Sequence, residues 1–210
     1  MRPTRQQQII DAAREEFVER GYAAVSIRDI AQRAGMSMSA LYHYYPGKQD
    51  LLVAILDEGV AAYFATCEEA LREVGGDPAE RLEALVTATV RFRTEYPVKS
   101  SITLTEERSL DPDNLRAYRA GVARGTRQFQ QAIQEGVDGG LFATPYPDDA
   151  RRAVIAMCNA IAQWWRPEGE LTQRDLVEHY VALAFALVEY RPRTTRRPVA
   201  AAPPLNGPRR

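Results

Sequence analysis

Polar side chains are concentrated in one short segment of the chain, residues 37–44. Ser37, Ser39, Tyr42, His43 and Tyr44 all fall within it. Their hydroxyl and imidazole groups can hydrogen-bond to base edges or to phosphate oxygens in the major groove of a DNA duplex. An ordinary corner between two helices, packed by its tyrosines, has the same composition. The elements that surround the segment must therefore decide between these two interpretations.

The other reactive side chains give little support for catalysis. The sequence has two histidines, His43 and His179, and no Ser-His-Asp set with a defined context. Adjacent acids do occur, but consecutive helical residues point roughly 100° apart and do not share one substrate. The two cysteines lack CxxC spacing, and the sequence has neither a Gly-rich phosphate loop nor a Cys/His cluster. We therefore expect no enzyme, no metal and no cofactor.

Two short helices separated by a glycine-containing turn are predicted around the polar segment. Ser26 is a good N-cap for the helix IRDIAQRA, and Asp29 can complete a capping box with it. The run MSALYHY forms the next helix, before Pro46-Gly47 breaks the chain. A helix-turn-helix needs small residues at the crossing and an apolar anchor on the second helix. These are supplied by Ala31, Ala34, Gly35, Leu41 and Tyr45.

The run VSIRDIAQRAGMSMSALYHYYPGKQDLLVAIL resembles the DNA-binding signature of the tetracycline-repressor (TetR) family. That signature is xxIAxxAGxSxxxLYxYFxxKxxLL, and the positions that match it are Ile30, Ala31, Ala34, Gly35, Ser37, Leu41, Tyr42, Tyr44, Lys48, Leu51 and Leu52. Tyr45 stands where the family has Phe, which keeps an aromatic wedge. The match covers roughly the first 55 residues, including an amphipathic helix with Phe17 and the Gly21-Tyr22 turn.

The resemblance implies a DNA contact for most polar residues of the motif. Ser26 and Arg28 would contact phosphate or reach the groove. Base edges and thymine methyl groups would be contacted by Ser37, Met38, Ser39 and Ala40. Tyr42 and Tyr44 would contact phosphate, and His43 a base or phosphate. Lys48 would hold the following helix on a phosphate, because a helix N-terminus already favours an anion.

Helical periodicity continues through the rest of the chain, and no segment alternates with the period of a strand. We predict an all-α protein of about nine helices, one of them running from Asp111 to Val137. Residues 1–47 are predicted as a three-helix DNA-binding domain, 48–190 as a helical ligand-binding and dimerisation domain, and 191–210 as a disordered Arg- and Pro-rich tail. The tail either keeps the chain soluble or adds phosphate contacts.

Charge is unevenly distributed along the chain. Residues 1–50 have seven basic and six acidic side chains, residues 51–190 have 14 and 22, and residues 191–210 have six and none. An acidic middle section is repelled by phosphate, so DNA contact is expected at the N-terminal end, with help from the tail.

The last predicted helix is apolar around much of its circumference. Leu176, Tyr180, Leu183 and Leu187 form one stripe beside a second apolar stripe, so the helix must be covered on two sides. TetR proteins pair through their last two helices, which implies that this stripe is a homodimer interface. A twofold pair would place its recognition helices about 34 Å apart, as a palindromic site requires. Full burial within one monomer is the alternative.

The segment NAIAQWWRPEGELT is similar to the C-terminal region of TetR proteins that respond to acyl-CoA thioesters of fatty-acid and steroid degradation. An apolar acyl pocket would draw on Phe64, Leu85, Phe92, Tyr96, Leu104, Tyr118, Phe129 and Trp164. Arginines available for a CoA phosphate are Arg91, Arg93, Arg124, Arg127 and Arg166, the last of which lies in this segment. A tight loop between dimer helices is the other interpretation of the Trp pair.

These features predict a homodimeric transcriptional regulator, and a repressor in particular, that an acyl-CoA effector releases from double-stranded DNA. The effector would shift the helix that begins at Lys48. A regulator of multidrug efflux that responds to apolar or cationic drugs is the alternative, and a helical interaction module without DNA binding is the competing class.

The sequence also predicts the location of the protein. The longest apolar run near the C-terminus, Tyr180–Val188, has nine residues, against the roughly 20 needed to cross a bilayer. The N-terminus lacks the apolar stretch of a signal peptide. We expect a cytoplasmic protein with no membrane association.

Overall fold

The computed structural model describes residues 4–192. Within this range the chain forms ten α-helices and two short 3₁₀ turns, which confirms the all-α prediction. The α-helices are α1 (Arg5–Arg20), α2 (Ile27–Arg33), α3 (Met38–Tyr44), α4 (Lys48–Arg72), α5 (Pro78–Glu95), α6 (Pro97–Thr105), α7 (Pro112–Gly125), α8 (Arg127–Asp138), α9 (Pro147–Trp164) and α10 (Gln173–Leu187). The 3₁₀ turns are Tyr22–Ala24 and Glu106–Ser109. The prediction of a disordered tail falls, from residue 193 onward, outside the described residues.

The helix predicted from Asp111 to Val137 is in fact two helices, α7 and α8, which meet at Thr126. Glycine has a low helix propensity, and Gly125 ends α7. Its α-carbon also approaches Phe64 of α4 so closely that an added Cβ would lie 2.0 Å from the ring. The missing side chain therefore lets the end of α7 pack directly on α4.

Side-chain caps fix the first residues of helices α2 and α10. Ser26 and Asp29 form the predicted capping box at the start of α2. Thr172 and Asp175 form a second box at the start of α10. Each box satisfies backbone N–H groups that the first helical turn leaves without a partner. The hydrogen bonds from Ser26 also lower the pKa of the Asp29 carboxyl, because they favour its ionised form.

A network of charged side chains joins α1 to α2. The guanidinium of Arg33 donates from Nε to Glu16 Oε1 at 2.7 Å and from Nη2 to Glu19 Oε2 at 2.5 Å. Glu16 is buried and accepts a further hydrogen bond from Arg20 Nη1 at 3.0 Å. Hydrogen bonding from Arg33 lowers the pKa of Glu19. The network fixes the two helices against each other and neutralises the acidic side of α1.

The first hydrophobic core lies under the helix-turn-helix but does not end with it. Its buried residues come from α1–α3, from the first half of α4, and from later parts of the chain: Ile9, Phe17, Ile30, Leu41, Leu51, Leu52, Ile55, Leu56, Ile102, Leu110 and Tyr118 are among them. The core therefore contains residues from both sides of the predicted domain border at residue 47.

The second core fills the rest of the chain and is built around α5. This helix contacts α4, α8, α9 and α10, and its Leu82, Leu85 and Val86 are fully buried. Tyr190, near the end of the described range, forms an isolated antiparallel bridge with Phe142. None of the helices in residues 4–192 is long and apolar enough to cross a membrane.

Candidate nucleic-acid interface and internal cavity

One side of α3 faces solvent and carries the polar side chains singled out by the sequence. The exposed residues are Ser37, Met38, Ser39, Tyr42, His43 and Tyr44, while Ala40 is half-buried. Leu41 on the opposite side is fully buried in the first core. Tyr45 is also buried, and its hydroxyl accepts a hydrogen bond from Gln6 Nε2 at 3.1 Å. The two anchors hold the helix while its polar side remains free for a ligand.

Two of the predicted DNA contacts also start helices. Ser26 Oγ donates to Asp29 Oδ2 at 2.6 Å and accepts from the backbone N–H of Asp29 at 3.2 Å. Ser37 Oγ accepts from the backbone N–H of Ala40 at 3.2 Å. Both hydroxyls thus have a local structural role beside any contact with DNA. Arg28 is exposed at the start of α2 and forms no ion pair within the described residues.

Lys48 connects α4 to the loop between α1 and α2. Its Nζ donates to the carbonyl oxygens of Tyr22 and Val25, both at 2.8 Å, and lies 4.1 Å from the centre of the Tyr22 ring. Partial burial lowers the pKa of the ammonium group. An ammonium group has three N–H donors, so one remains for a phosphate. The contact with DNA stays a prediction, and the intramolecular role is an addition to it.

Gln49 is a second link between the helix-turn-helix and the rest of the chain, and sequence reasoning missed it. Its Nε2 donates to the Tyr22 hydroxyl at 3.0 Å and to the Ser109 carbonyl at 2.7 Å. Its Oε1 accepts from the backbone N–H of Asp111 at 3.3 Å. Only the fold brings these three partners together, because Ser109 and Asp111 are about 60 residues away along the chain.

A third link is a pair of ion pairs centred on Glu58 of α4. Its carboxylate lies 3.0 Å from Arg14 Nη2 on α1 and 3.3 Å from Lys99 Nζ on α6. The three helices are therefore held together at one point. With Lys48 and Gln49, this makes α4 the element through which the helix-turn-helix is attached.

A small, partly enclosed cavity of about 60 Å³ lies beside α4. Its walls come from α4, α5, α6, α7 and α9, and the residues that line it are Gly59, Val60, Tyr63, Phe64, Arg93, Thr103, Leu104, Tyr118, Val122, Thr126, Ile155 and Asn159. Three of these, Phe64, Leu104 and Tyr118, were predicted as pocket residues. A larger depression of about 520 Å³ between α4 and α5 is open and lined by four glutamates, which does not suit an apolar ligand.

The remaining predicted pocket residues do not line this cavity. Leu85 and Phe129 are fully buried in the second core, where apolar neighbours surround them, and Phe92 packs beside Tyr63 with ring centres 5.5 Å apart. Tyr96, Trp164 and Arg166 are exposed. Arg166 donates to the Trp165 carbonyl at 2.7 Å. A helical pattern identifies apolar residues but not which neighbouring helix covers them, so the place of these residues in an effector pocket stays a prediction.

Arg93 is the one predicted CoA-binding arginine that reaches the cavity. Its Nε and Nη2 donate to Asn159 Oδ1 at 3.2 and 2.9 Å, and its guanidinium carbon lies 4.6 Å from the centre of the Tyr63 ring. Desolvation lowers the pKa of this buried guanidinium. Arg91 is on the exposed side of α5, and Arg124 and Arg127 border other surface depressions.

The predicted interface stripe on α10 is partly exposed and partly buried. Leu183 and Leu187 expose 51% and 38% of their surface, and Tyr180 is half-buried. Leu176 is fully buried against its own subunit. The prediction for Leu176 is therefore wrong, since a side chain already enclosed within the monomer has no surface left for a partner.

A helix-turn-helix whose second helix exposes polar side chains is the arrangement by which many transcriptional regulators bind DNA. Comparison with known families supports this assignment. The chain belongs to the tetR family of bacterial regulatory proteins: that family's model matches residues 9–55, and the model of the tetracyclin repressor-like C-terminal domain matches residues 75–188.

Similar proteins cover nearly the whole chain. The HTH-type transcriptional repressor KstR2 of Mycobacterium tuberculosis (strain H37Rv) is 24% identical over 182 residues, which are 86% of this chain and 90% of that protein. A tetR-family regulatory protein from Rhodococcus RHA1 has a TM-score of 0.82 at 27% identity, over 91% of this chain and 100% of that one. AibR, solved with isovaleryl coenzyme A and operator DNA, has a TM-score of 0.79 at 22% identity, over 90% and 100%, and so shares the fold.

The intramolecular role of Lys48 is tested by Lys48→Met. The change removes the donor for two carbonyl oxygens, and we expect the midpoint of thermal unfolding to fall by about 2–6 °C. Differential scanning calorimetry measures the change. Arg28→Met is the matched control, because Arg28 is exposed and its loss should leave the midpoint within about 1 °C. Equal midpoints for both variants would contradict this role.

Proposed function

We propose that this chain is a homodimeric transcriptional repressor that binds a palindromic operator and is released from it by an acyl-CoA thioester. The observation that carries the proposal is the exposed polar side of α3, held in place by the buried Leu41. The proposed contacts with DNA are those of Ser26, Arg28, Ser37, Met38, Ser39, Ala40, Tyr42, His43, Tyr44 and Lys48. Residues 1–47 would read the DNA, 48–190 would bind the effector and the partner, and the protein would act in the cytoplasm.

An exposed apolar surface supports the homodimer. Three large apolar residues are exposed on the last two helices: Leu183 and Leu187 on α10, and Trp164 at the end of α9. Apolar side chains that remain in water are typical of a protein–protein contact when they are grouped on one face. A twofold axis at this surface makes each copy contribute the same residues. To bind a palindromic operator, such a pair would have to place its two α3 helices in successive major grooves, about 34 Å apart.

The position of the cavity supports an effector that acts through α4. Gly59 to Phe64 form part of the cavity wall, and Lys48 at the start of the same helix holds the helix-turn-helix. A space of about 60 Å³ is far smaller than the roughly 300–1,000 Å³ of typical ligand sites, so a ligand must displace the walls. Binding would then favour a different position of α4 and a different spacing of the two α3 helices.

An acyl-CoA is the preferred effector for two reasons. The structural neighbour AibR was solved with isovaleryl coenzyme A and operator DNA. The cavity wall combines apolar side chains with the guanidinium of Arg93. A buried cation repels a cationic ligand, so this wall disfavours the cationic drugs of the alternative.

Recognition of DNA is tested with the double variant Tyr42→Ala/His43→Ala. The intergenic DNA next to the gene for this chain is the probe, and fluorescence anisotropy at low ionic strength measures affinity. We expect a loss of at least about tenfold, because two contacts in the groove are removed. Tyr146→Ala changes an exposed tyrosine at the start of α9 and is the matched control. An unchanged affinity in the double variant would refute the role of α3.

The effector class is tested by adding ligands to the same protein–DNA complex. We expect at least one member of a series of acyl-CoA esters of increasing chain length to release the DNA, while free coenzyme A does not. Tetraphenylphosphonium, an apolar cation that does not intercalate, represents the drug-responsive alternative. Release by this cation and by none of the esters would overturn the acyl-CoA proposal and leave DNA recognition intact.

The dimer interface is tested by Leu183→Glu. A carboxylate at a position that loses its solvent on pairing costs several kcal/mol, so we expect a monomer in analytical ultracentrifugation and at least about tenfold weaker binding to the operator. Val98→Glu is the matched control, since Val98 is an exposed apolar residue on α6. A dimer that persists in Leu183→Glu places the interface elsewhere.

A further inference from the structure

Arg93 is a buried cation without a carboxylate partner. Only 5% of the surface of Arg93 is accessible to solvent. The buried Glu16, in contrast, is paired with two arginines. Within residues 4–192, no Asp or Glu oxygen lies within 4.0 Å of the Arg93 guanidinium. An unpaired charge in a protein interior is costly, and a ligand of opposite charge would offset that cost.

The hydrogen bonds of Arg93 are also incomplete. A guanidinium has five N–H donors. Nε and Nη2 each donate to the single oxygen Asn159 Oδ1, and Nη1 reaches Ser100 Oγ only at 3.5 Å. Two N–H groups, one on each terminal nitrogen, have no acceptor among the described residues. A carboxylate has two oxygens and can accept from both terminal nitrogens of a guanidinium in bidentate fashion.

The neighbouring titratable groups cannot supply the missing negative charge. Those that interact with Arg93 are Tyr63, Cys67, Tyr118 and Cys158. Burial raises the pKa of Cys67 to about 11 and the pKa values of Tyr118 and Cys158 to about 12. It also raises the pKa of Tyr63. All four groups are therefore neutral at physiological pH, and the guanidinium faces a cavity whose other walls include Phe64, Leu104, Val122 and Ile155.

We propose that Arg93 binds a carboxylate carried by the effector, at the end of its acyl group away from the thioester. The proposal rests on the proposed function in that it takes the cavity as the effector site. The phosphates of coenzyme A do not fit this position, because they bring several charges to one cation in a small apolar space. The carboxylate of a free fatty acid has the same chemistry, and the experiment separates these two sources.

The test compares two esters that differ at one end only. Adipoyl-CoA and hexanoyl-CoA have acyl groups of equal carbon number, and the first ends in a carboxylate where the second ends in a methyl group. Isothermal titration calorimetry without DNA measures their affinity, with free adipate and free hexanoate as separate ligands. In the unmodified protein we expect adipoyl-CoA to bind at least about tenfold more tightly than hexanoyl-CoA, because a charge-assisted hydrogen-bonded pair forms.

Variants assign the preference to Arg93. Arg93→Gln should remove the preference for adipoyl-CoA and leave the affinity for hexanoyl-CoA within about threefold, whereas Arg93→Lys should retain part of it. Arg91→Gln, at an exposed position on the same helix, is the matched control and should keep the full preference. The midpoint of thermal unfolding of ligand-free Arg93→Gln should equal or exceed that of the unmodified protein, because an unpaired buried charge is lost.

The possible results separate this proposal from the function on which it rests. Equal affinities for the two esters, or a preference that survives Arg93→Gln, would overturn the carboxylate site even if acyl-CoA esters release the operator. Tight binding of free adipate or hexanoate that depends on Arg93, without binding of either ester, would support the carboxylate site and refute the acyl-CoA effector. Absence of binding by all four compounds, or a large fall in the midpoint of Arg93→Gln with no change in preference, would overturn the carboxylate site.

Discussion

One 25-residue helix, α4, belongs to both hydrophobic cores, and the rest of the structure depends on this sharing. Its first half packs Leu51 and Leu56 beneath the helix-turn-helix, and its second half places Tyr63 and Cys67 in the other core. An α-helix without proline moves as a stiff rod, because each residue is hydrogen-bonded to the next turn. A displacement at one end therefore reaches the other end without a chain of separate side-chain movements.

The polar contacts at the first turns of α4 complement this stiffness. Lys48, Gln49 and Glu58 contact the loop after α1, the segment after α6, and helices α1 and α6. Hydrogen bonds and ion pairs are directional, so they fix the angle between α4 and the helix-turn-helix better than apolar packing alone. The cavity wall on the same helix begins at Gly59, directly after Glu58 and about three turns beyond Lys48. The cavity and the contacts to the helix-turn-helix thus lie on one element.

Much of the local structure could be predicted from the sequence because it depends on near neighbours. The capping box of Ser26 and Asp29 and the buried Leu41 of α3 follow from residues three or four positions apart. The break after Gly125 was not predicted, because a single glycine inside a helical pattern is tolerated, and its close approach to Phe64 is a contact with another helix. For the same reason Leu176 was assigned to an interface although it is enclosed within its own subunit.

The two candidate sites also differ in whether they depend on near neighbours in the sequence or on contacts between distant helices. The exposed residues of α3 were identified from a local motif, whereas the cavity is assembled from five helices and was found only in part. Nothing in the sequence favoured Arg93 over the other four arginines available for a CoA phosphate. No sequence signal indicated that Asn159 would accept its hydrogen bonds. A lone buried cation is a property of packing, since it depends on where acidic residues are absent in space.

Three side chains from distant parts of the chain, Ile102, Leu110 and Tyr118, complete the core beneath the helix-turn-helix. The first 47 residues therefore do not enclose this core by themselves. Hybrid regulators made by exchanging this segment between relatives would join mismatched apolar surfaces unless α6 and α7 were exchanged with it.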